Sequence, residues 1–510
     1  MHDPQDLNPQ HLEDLATGYW QSEVLFTALE KHLFTRLEPA GKPVAELAAE
    51  LGYDPTTLKR FVHALSVMGL VFEADDSCGN TKLSKKYLVR GEEAYQGDSI
   101  LWRKYLIDNW KTLDKCLEKG TRVLFQTMDE PEAAVKERFR KYCRAMDAVA
   151  RTKIEEILSM YSGMKLQGDI LDVGSGLGAF SIGFLKEFPE TKATLVDMKQ
   201  VLEFAAETHG SRSYASRMEY RATNILEPWN LQKKYNLIIL SNIVHAFAEQ
   251  ETGHVLAEAV AHLADDGLLL VHDFFLEHAS EEAVLSDLNM LVNTYNGKVY
   301  AASWIREQLE DARLATTELI PLESDTAVLI ASKNAAALAN LKLNPLQQLA
   351  AKIQGLGFQV VKQIEVDSIQ VPEWVGAKCQ FGCDSFNEAH CPPNCIKPEK
   401  TRAMLKNYSK CLLLQGVPPT GDFQRLVLRA ERTAFKAGYY KAFSLWAGPC
   451  RICEDVCAGE GTCTNHKNAR PSMEASGIDV FETVRRAGIP LTTLPEADDY
   501  VKYFAVLLLE

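Results

Sequence analysis

GDILDVGSGLGAF, residues 168–180, decides how the middle of this 510-residue chain is read. Ile170, Leu171 and Val173 favour a strand and are set among Asp169 and Asp172. The chain then turns through Gly174, Gly176 and Gly178 into the helix-like run AFSIGFLKEF. This pattern predicts a strand, a tight glycine loop and a helix start. Glycine serves where backbone must take positive φ or touch a ligand, and the helix N-terminus behind the loop offers free N–H groups. A polar, extended ligand is expected to lie across it.

Outward from the loop, strand-like and helix-like segments alternate. DILDV, ATLVD, EYRAT, YNLIILS and GLLLVHD are candidate strands with helical segments between them, and TTELIPL and TAVLIAS close the series as an expected antiparallel pair. Alternation of this kind predicts a doubly wound α/β sheet with ligand at the carboxyl ends of its strands. A glycine-rich loop alone is a weak signal, and its Gly-x-Gly-x-Gly spacing is not the dinucleotide pattern. Asp172 ends the first strand, where it could accept from a cationic or amine-bearing ligand. Asp197 ends the second, about twenty residues past the loop, where a carboxylate can take both ribose hydroxyls. Met198 would flank an adenine, and Asn224, after the third strand, could bond its edge. This constellation resembles the class I S-adenosylmethionine-dependent methyltransferases.

The resemblance widens with SNIVHAFAEQET and GLLLVHDFF to the small-molecule O-methyltransferase family, over roughly residues 10–333. It implies a Rossmann-like seven-stranded domain and a homodimer. It also implies methyl-donor contacts from Gly174, Gly176, Asp197, Met198 and Asn224, and Asp172, Ser175 and Ser241 are counted with them. Plant-type members carry a catalytic histidine in a segment matching LNMLVNTYNGKVYAASWIREQLEDA, where this chain has Asn293, Thr294 and Tyr295. Deprotonating an alcohol benefits from a placed base, whereas a thiolate is already nucleophilic near neutral pH. The expected small-molecule acceptor is therefore a thiol or other soft heteroatom. His245, Asp273 and Tyr295 are the catalytic candidates, with structural roles the competing expectation for the first two. Met146, Trp110 and Tyr295 are candidates for the acceptor pocket.

Towards the N-terminus, PVAELAAELGYDPTTLKRFVHALSVMGLVFEADD predicts two helices, the second capped by Thr56 or Thr57, followed by a β wing. This is a winged-helix pattern over residues 1–98. The second helix offers only Lys59, Arg60 and His63, so dimerisation is expected rather than DNA binding. A net charge of −14 likewise argues against a general nucleic-acid binder. MHDPQDLNPQHLEDL is polar and acidic, and no uninterrupted apolar stretch has membrane-spanning length, so a cytoplasmic protein is expected.

Of twelve cysteines, nine fall between Cys379 and Cys463. In a reducing compartment such clustering speaks for metal. Cys379, Cys383, Cys391 and Cys395 form one candidate tetrad, and Cys450, Cys453, Cys457 and Cys463 a second, while Cys411 lies in an apolar strand-like run. The Cys-x-x-Cys-x-x-x-Cys spacing of the second group favours iron–sulfur ligation, one or two 4Fe-4S clusters, with zinc as the alternative. From about residue 345 to the end, CPPNC, FKAGYYKAFSLWAGPCRIC and ARPSMEASGIDVFETVRRAGI resemble a family of predicted metal-binding proteins of unknown function. The expected organisation is multidomain. A dimerisation domain (1–98) leads into a methyltransferase domain (99–333), and a linker (334–347) into an α+β cysteine-rich domain (348–510). The cluster would bind, reduce or present the acceptor, with an electron donor as a partner. An ordinary O-methyltransferase with structural zinc and a redox-responsive regulator are the alternatives.

Overall fold

The computed structural model describes residues 9–125, 131–453, 463–493 and 501–510. The chain divides into two compact units, residues 10–317 with 321–342, and residues 343–510 with 1–9 and 318–320.

The first unit opens with the helix Gln10–Glu30 and a small antiparallel sheet of β1 (Lys42–Pro43), β2 (Val71–Ala74) and β3 (Ser77–Asn80), in the order β1-β3-β2. Between β1 and β2 run the helices Val44–Leu51 and Pro55–Val67. The cap of the second is Asp54 rather than a threonine: its carboxylate accepts from Thr57 N at 2.8 Å. Pro55 at the first helical position makes this start favourable, since its missing N–H would be unbonded there in any case. Ala28, Leu29, Leu33, Leu47, Val62 and Leu65 form the buried centre of this region.

The main sheet holds β4 (Asp169–Val173), β5 (Lys192–Asp197), β6 (Met218–Ala222), β7 (Tyr235–Ser241), β8 (Leu263–Asp273), β9 (Ala315–Thr316), β10 (Ile320–Pro321) and β11 (Ala327–Ser332). Its order is β10-β11-β8-β7-β4-β5-β6, with β9 paired to β11. Neighbours among β4 to β8 are parallel, whereas β11 runs antiparallel to β8. Leu237, Ile238, Ile239 and Leu240 are all fully buried, as expected of a parallel strand covered on both faces. The segment TTELIPL does not form one strand beside TAVLIAS but two short pieces. Pro321 cannot donate to a ladder, which limits the second piece. From β4 the order runs to β5 and β6 on one side and to β7 and β8 on the other. The crevice between the carboxyl ends of β4 and β7 is therefore the topological switch point.

The stretch read as a linker, 334–347, is largely ordered structure. Ala335–Leu338 is a helical turn capped by Asn334, Ala337 and Leu341 are buried, and Lys342 N bonds Met160 O at 2.7 Å.

In the second unit β12 (Val360–Ile364), β13 (Cys411–Gly416), β14 (Phe443–Leu445) and β15 (Tyr503–Leu508) form an antiparallel sheet, ordered β12-β13-β15-β14. The strand period of two sorts β13 cleanly. Leu412 and Leu414 pack with Leu349, Ile353, Phe423 and Val427, and Cys411 and Leu413 with Met473, Ile478 and Val484. Cys411 is thus a core residue, and the other described cysteines of this unit lie outside the sheet. Among the described residues no helix is long and apolar enough to cross a membrane.

Candidate functional site

At the switch point β4 delivers Asp172 and the glycine loop. Asp172, 2% exposed, turns its carboxylate to the first turn of the helix Ala179–Glu187 and accepts from Ser181 N at 3.2 Å and Ser181 Oγ at 2.7 Å. It pins strand, loop and helix together instead of facing a ligand, because the unbonded N–H groups of a helix start are the donors nearest to it. Burial pushes this carboxyl up to about 7, against the opposing effect of the Ser181 bonds. The stability consequence is directional. Below about pH 4 the group is protonated both folded and unfolded, and as pH rises towards 7 the unfolded chain releases its proton first, so stability falls. Asp172→Asn cannot ionise and is expected to lose less Tm between pH 4 and 7 in calorimetry. An unaltered profile would mean that the carboxyl is ionised throughout.

Gly174 and Gly176 hold φ of 64° and 54°. A Cβ on Gly174 would strike Ile243 at 2.1 Å, but one on Gly176 would stand in open space. Gly176 is where bare backbone faces outward. Its N–H donates to Asp197 Oδ2 at 2.9 Å, and Met198 N donates to Asp197 Oδ1 at 2.7 Å. Burial raises the Asp197 carboxyl, opposed by these two bonds. Met198 is exposed. Ser175 Oγ and, across the crevice, Asn242 Oδ1 are buried with no hydrogen-bond partner. Buried polar atoms of this kind are costly unless a ligand or water completes them. Open backbone, a loop-anchored carboxylate and two unsatisfied oxygens fit a polar cofactor such as S-adenosylmethionine.

Two expected cofactor contacts are engaged locally. Asn224 accepts from Leu226 N at 3.1 Å and donates to Glu227 at 3.0 Å, an Asx turn beyond β6. Ser241 Oγ pairs with His272 Nδ1 at 2.8 Å, and His272 Nε2 with Thr326 Oγ1 at 2.9 Å. Burial holds the His272 imidazole down at about 4, so this chain of bonds runs through a neutral ring.

β7 and β8 bring His245 and Asp273 together. His245 Nδ1 is hydrogen-bonded to Asp273 Oδ1, and His245 N donates to Asp273 Oδ2 at 3.4 Å. Asp273 is fully buried, and its Oδ1 also accepts from Phe274 N at 2.8 Å. A histidine with one nitrogen tied to a fixed carboxylate has its tautomer and orientation set, which is the arrangement of a placed general base. The sequence reading found no histidine at Asn293–Tyr295 and kept His245 of SNIVHAF and Asp273 as base candidates, with structural roles the competing expectation; the structure pairs the two. His245 stands 28 residues from Asp273 in sequence, and only their adjacent parallel strands make them neighbours. Tyr295 is 72% exposed and accepts from Thr121 through its main-chain carbonyl. Trp110 Nε1 donates to Asn289 at 3.1 Å and Asn109 to Asn293 at 2.7 Å, so Asn293 ties two helices together.

In the second unit Cys379, Cys383 and Cys391 line a cavity of about 230 Å³ with Ser472, Glu474 and Ala475. Cys395 Sγ donates to Ala475 O at 2.9 Å. Burial first, then Glu388 and the neighbouring thiols Cys383, Cys395 and Cys379, push Cys391 up to about 12, and burial with Cys379 pushes Cys395 up to about 11. These four thiols would repel one another as anions, and a bound cation reverses that cost. They fit a metal centre. The second expected tetrad lies only partly within the described residues. Cys457 lies outside them, Cys453 is exposed, and Cys450 packs at the edge of the sheet core. Cys463 lies with His390 and His466, their ligand atoms all within 4.8 Å of one another. Neither histidine figured in the sequence reading, although Cys463-x-x-His466 is a spacing that brings two donors together on one turn.

Residues 121–313 match the family model of the O-methyltransferase domain, and residues 13–90 that of the O-methyltransferase dimerisation domain. Over 64% of this chain and 94% of its own length, a 3-hydroxy-5-methyl-1-naphthoate 3-O-methyltransferase of Streptomyces sahachiroi is 25% identical. A 3-amino-4-hydroxybenzoate 4-O-methyltransferase of Streptomyces cremeus is 26% identical over 62% and 89%. Residues 121–313 form a class I S-adenosylmethionine-dependent methyltransferase domain. The crystal structure of human N-acetylserotonin methyltransferase in complex with S-adenosylmethionine shares the methyltransferase's fold, with a TM-score of 0.56 at 20% identity over 66% of this chain and all of that one. Residues 362–509, outside the methyltransferase, match the model described as a predicted metal-binding protein.

Proposed function

We propose that the methyltransferase acts on a hydroxyl of a small molecule, with His245 as general base. The observation that carries this reading is the His245–Asp273 hydrogen bond at the carboxyl ends of β7 and β8. A soft acceptor was expected because no histidine stands at Asn293–Tyr295 and a metal domain follows, and the His245–Asp273 pair supports a base from elsewhere. The hydroxybenzoate and hydroxynaphthoate named for two relatives support a phenolic acceptor.

S-adenosylmethionine supplies a methyl group activated on a sulfonium. Asp197, the Gly176 backbone, Ser175 and Asn242 would hold it at the switch point. His245 takes the hydroxyl proton as the oxygen attacks, and Asp273 steadies the imidazolium that results. The rest of the rate comes from alignment and exclusion of water. Assaying the purified chain with phenols and thiols tests the reading, and a preference for thiols would sink it.

The first unit supports a dimer. Its three-stranded sheet and helix pair are read as a winged helix used for association, which the match to a dimerisation domain supports. The helix Gln10–Glu30 leaves Leu12, Leu15, Tyr19 and Trp20 between 60% and 67% exposed, an apolar surface of the kind that marks an interface. Leu15→Asp with Trp20→Asp is expected to convert the dimer to a monomer in light scattering. A dimer that survives both changes would place the interface elsewhere.

For the second unit the reading is an iron–sulfur cluster on Cys379, Cys383, Cys391 and Cys395. Cys379, Cys383 and Cys391 line one cavity and Cys395 bonds Ala475 O in its wall, so four thiols stand at one site, the ligand set of a cluster. Iron and acid-labile sulfide measured after anaerobic purification decide it, and their absence would return the site to zinc.

A further inference from the structure

Beside the cysteine cavity the same unit holds a second donor set. His390, Cys463 and His466 each offer a ligand atom, and the three lie within 4.8 Å of one another. In a tetrahedral zinc centre, with Zn–S about 2.3 Å and Zn–N about 2.0–2.1 Å, nitrogen and sulfur ligands stand roughly 3.5 Å apart. Only a small contraction separates the three from that geometry.

Two loops position the three donors. Cys463 and His466 share a turn closed by Asn468 N and Ala469 N donating to Asn465 O at 3.0 and 3.2 Å. Arg432 donates to Asn468 Oδ1 at 2.7 Å and ties this turn to the helix Thr420–Lys436. The Cys463 sulfur accepts from Asn465 N at 3.3 Å, the kind of backbone donor that orients a metal thiolate. His390 arrives from the loop between Cys383 and Cys395, which the Glu388–Arg451 ion pair at 3.2 Å fastens to the chain beyond β14. Its Nε2 is buried and has no hydrogen-bond partner.

The ordinary explanation is ring packing, since the His390 and His466 centroids are 6.1 Å apart in an edge-to-face arrangement. Packing accounts for two rings. It does not account for a thiol sulfur meeting both rings' nitrogens, or for a buried ring nitrogen without a partner. One thiolate and two imidazoles are the donor types of zinc-class divalent ions, with a position left for water or a further ligand.

We propose that His390, Cys463 and His466 form a mononuclear zinc-class site, separate from the centre on Cys379, Cys383, Cys391 and Cys395. Adjacent residues, His390 and Cys391, then serve different metals. The inference stands on its own geometry and does not require the neighbouring centre to be an iron–sulfur cluster.

The test uses the full chain, purified anaerobically, with zinc, iron and sulfide quantified and the zinc K-edge X-ray absorption recorded. About one zinc per chain with mixed nitrogen and sulfur scattering is expected. His466→Ala is the deciding variant because that side chain is exposed, and it should lose the zinc while keeping wild-type iron. His466→Cys, which keeps a ligand, should retain the zinc with more sulfur in its shell. Zinc with sulfur-only scattering in the wild type overturns the proposal, as does no zinc after supplementation or wild-type zinc in His466→Ala. Loss of iron together with zinc in His466→Ala also overturns it, because the histidine would then serve the neighbouring centre. A wild type that carries this zinc but no iron defeats the cluster reading and leaves the mononuclear site standing.

Discussion

Replacing His245 by alanine is expected to lower kcat for methyl transfer by about 10²–10⁴-fold, the usual contribution of a positioned general base, with the affinity for S-adenosylmethionine unchanged. The split follows from the geometry. His245 is bonded to Asp273 at the ends of β7 and β8, while the loop that would hold the methyl donor is built from β4 and β5. Asp273→Asn should share much of the loss, because an amide cannot hold the imidazole as the carboxylate does or stabilise its charged form. Single-turnover rates with a phenolic acceptor, beside calorimetric titration of the donor, measure the two quantities separately. A fall of less than about tenfold in His245→Ala would leave no room for a base at this position.

Asp197→Ala should act on the other half of the reaction, weakening S-adenosylmethionine binding by about 100-fold or more. Hydrogen bonds to a charged group contribute about 1.5–3 kcal/mol each, and 1.4 kcal/mol is tenfold in affinity. The carboxylate does two things here. It fixes the loop through Gly176 N and Met198 N, and at the end of β5 it is the acid proposed to take the ribose hydroxyls. Losing it removes ligand contacts and frees the backbone that must present them. Calorimetric titration of the donor reads this directly, and an affinity within threefold of wild type would move the donor site away from Asp197.

The two variants separate because the sequence carries their roles differently. Glycines at alternate positions after an apolar strand can do little except turn tightly beside a ligand, so the loop, Asp197 and the alternation of strand and helix were legible residue by residue. Asp172 was legible as important but not in its role, since nothing local shows that its carboxylate turns to Ser181. His245 was legible as a base candidate, but its pairing with Asp273 was not, for the same reason. A histidine acquires that character from its partner, and the partner is supplied by a neighbouring strand.

The cysteines make the point again. Their clustering in sequence, nine within the last third of the chain, was enough to announce metal chemistry, because thiols rarely gather in a reducing compartment for another purpose. How they sort into centres was decided by folding. Spacing along the chain grouped Cys463 with Cys450, Cys453 and Cys457 and did not show that the turn that ends at Ala469 also brings it near His390 and His466. The sequence by itself determined the methyltransferase sheet, its glycine loop and the presence of a metal-binding unit, because these are written in local periodicity and composition. Only the tertiary structure decided which carboxylate holds His245 and which metal-type donors lie near one another, because both depend on side chains that meet across strands and loops far apart in the chain.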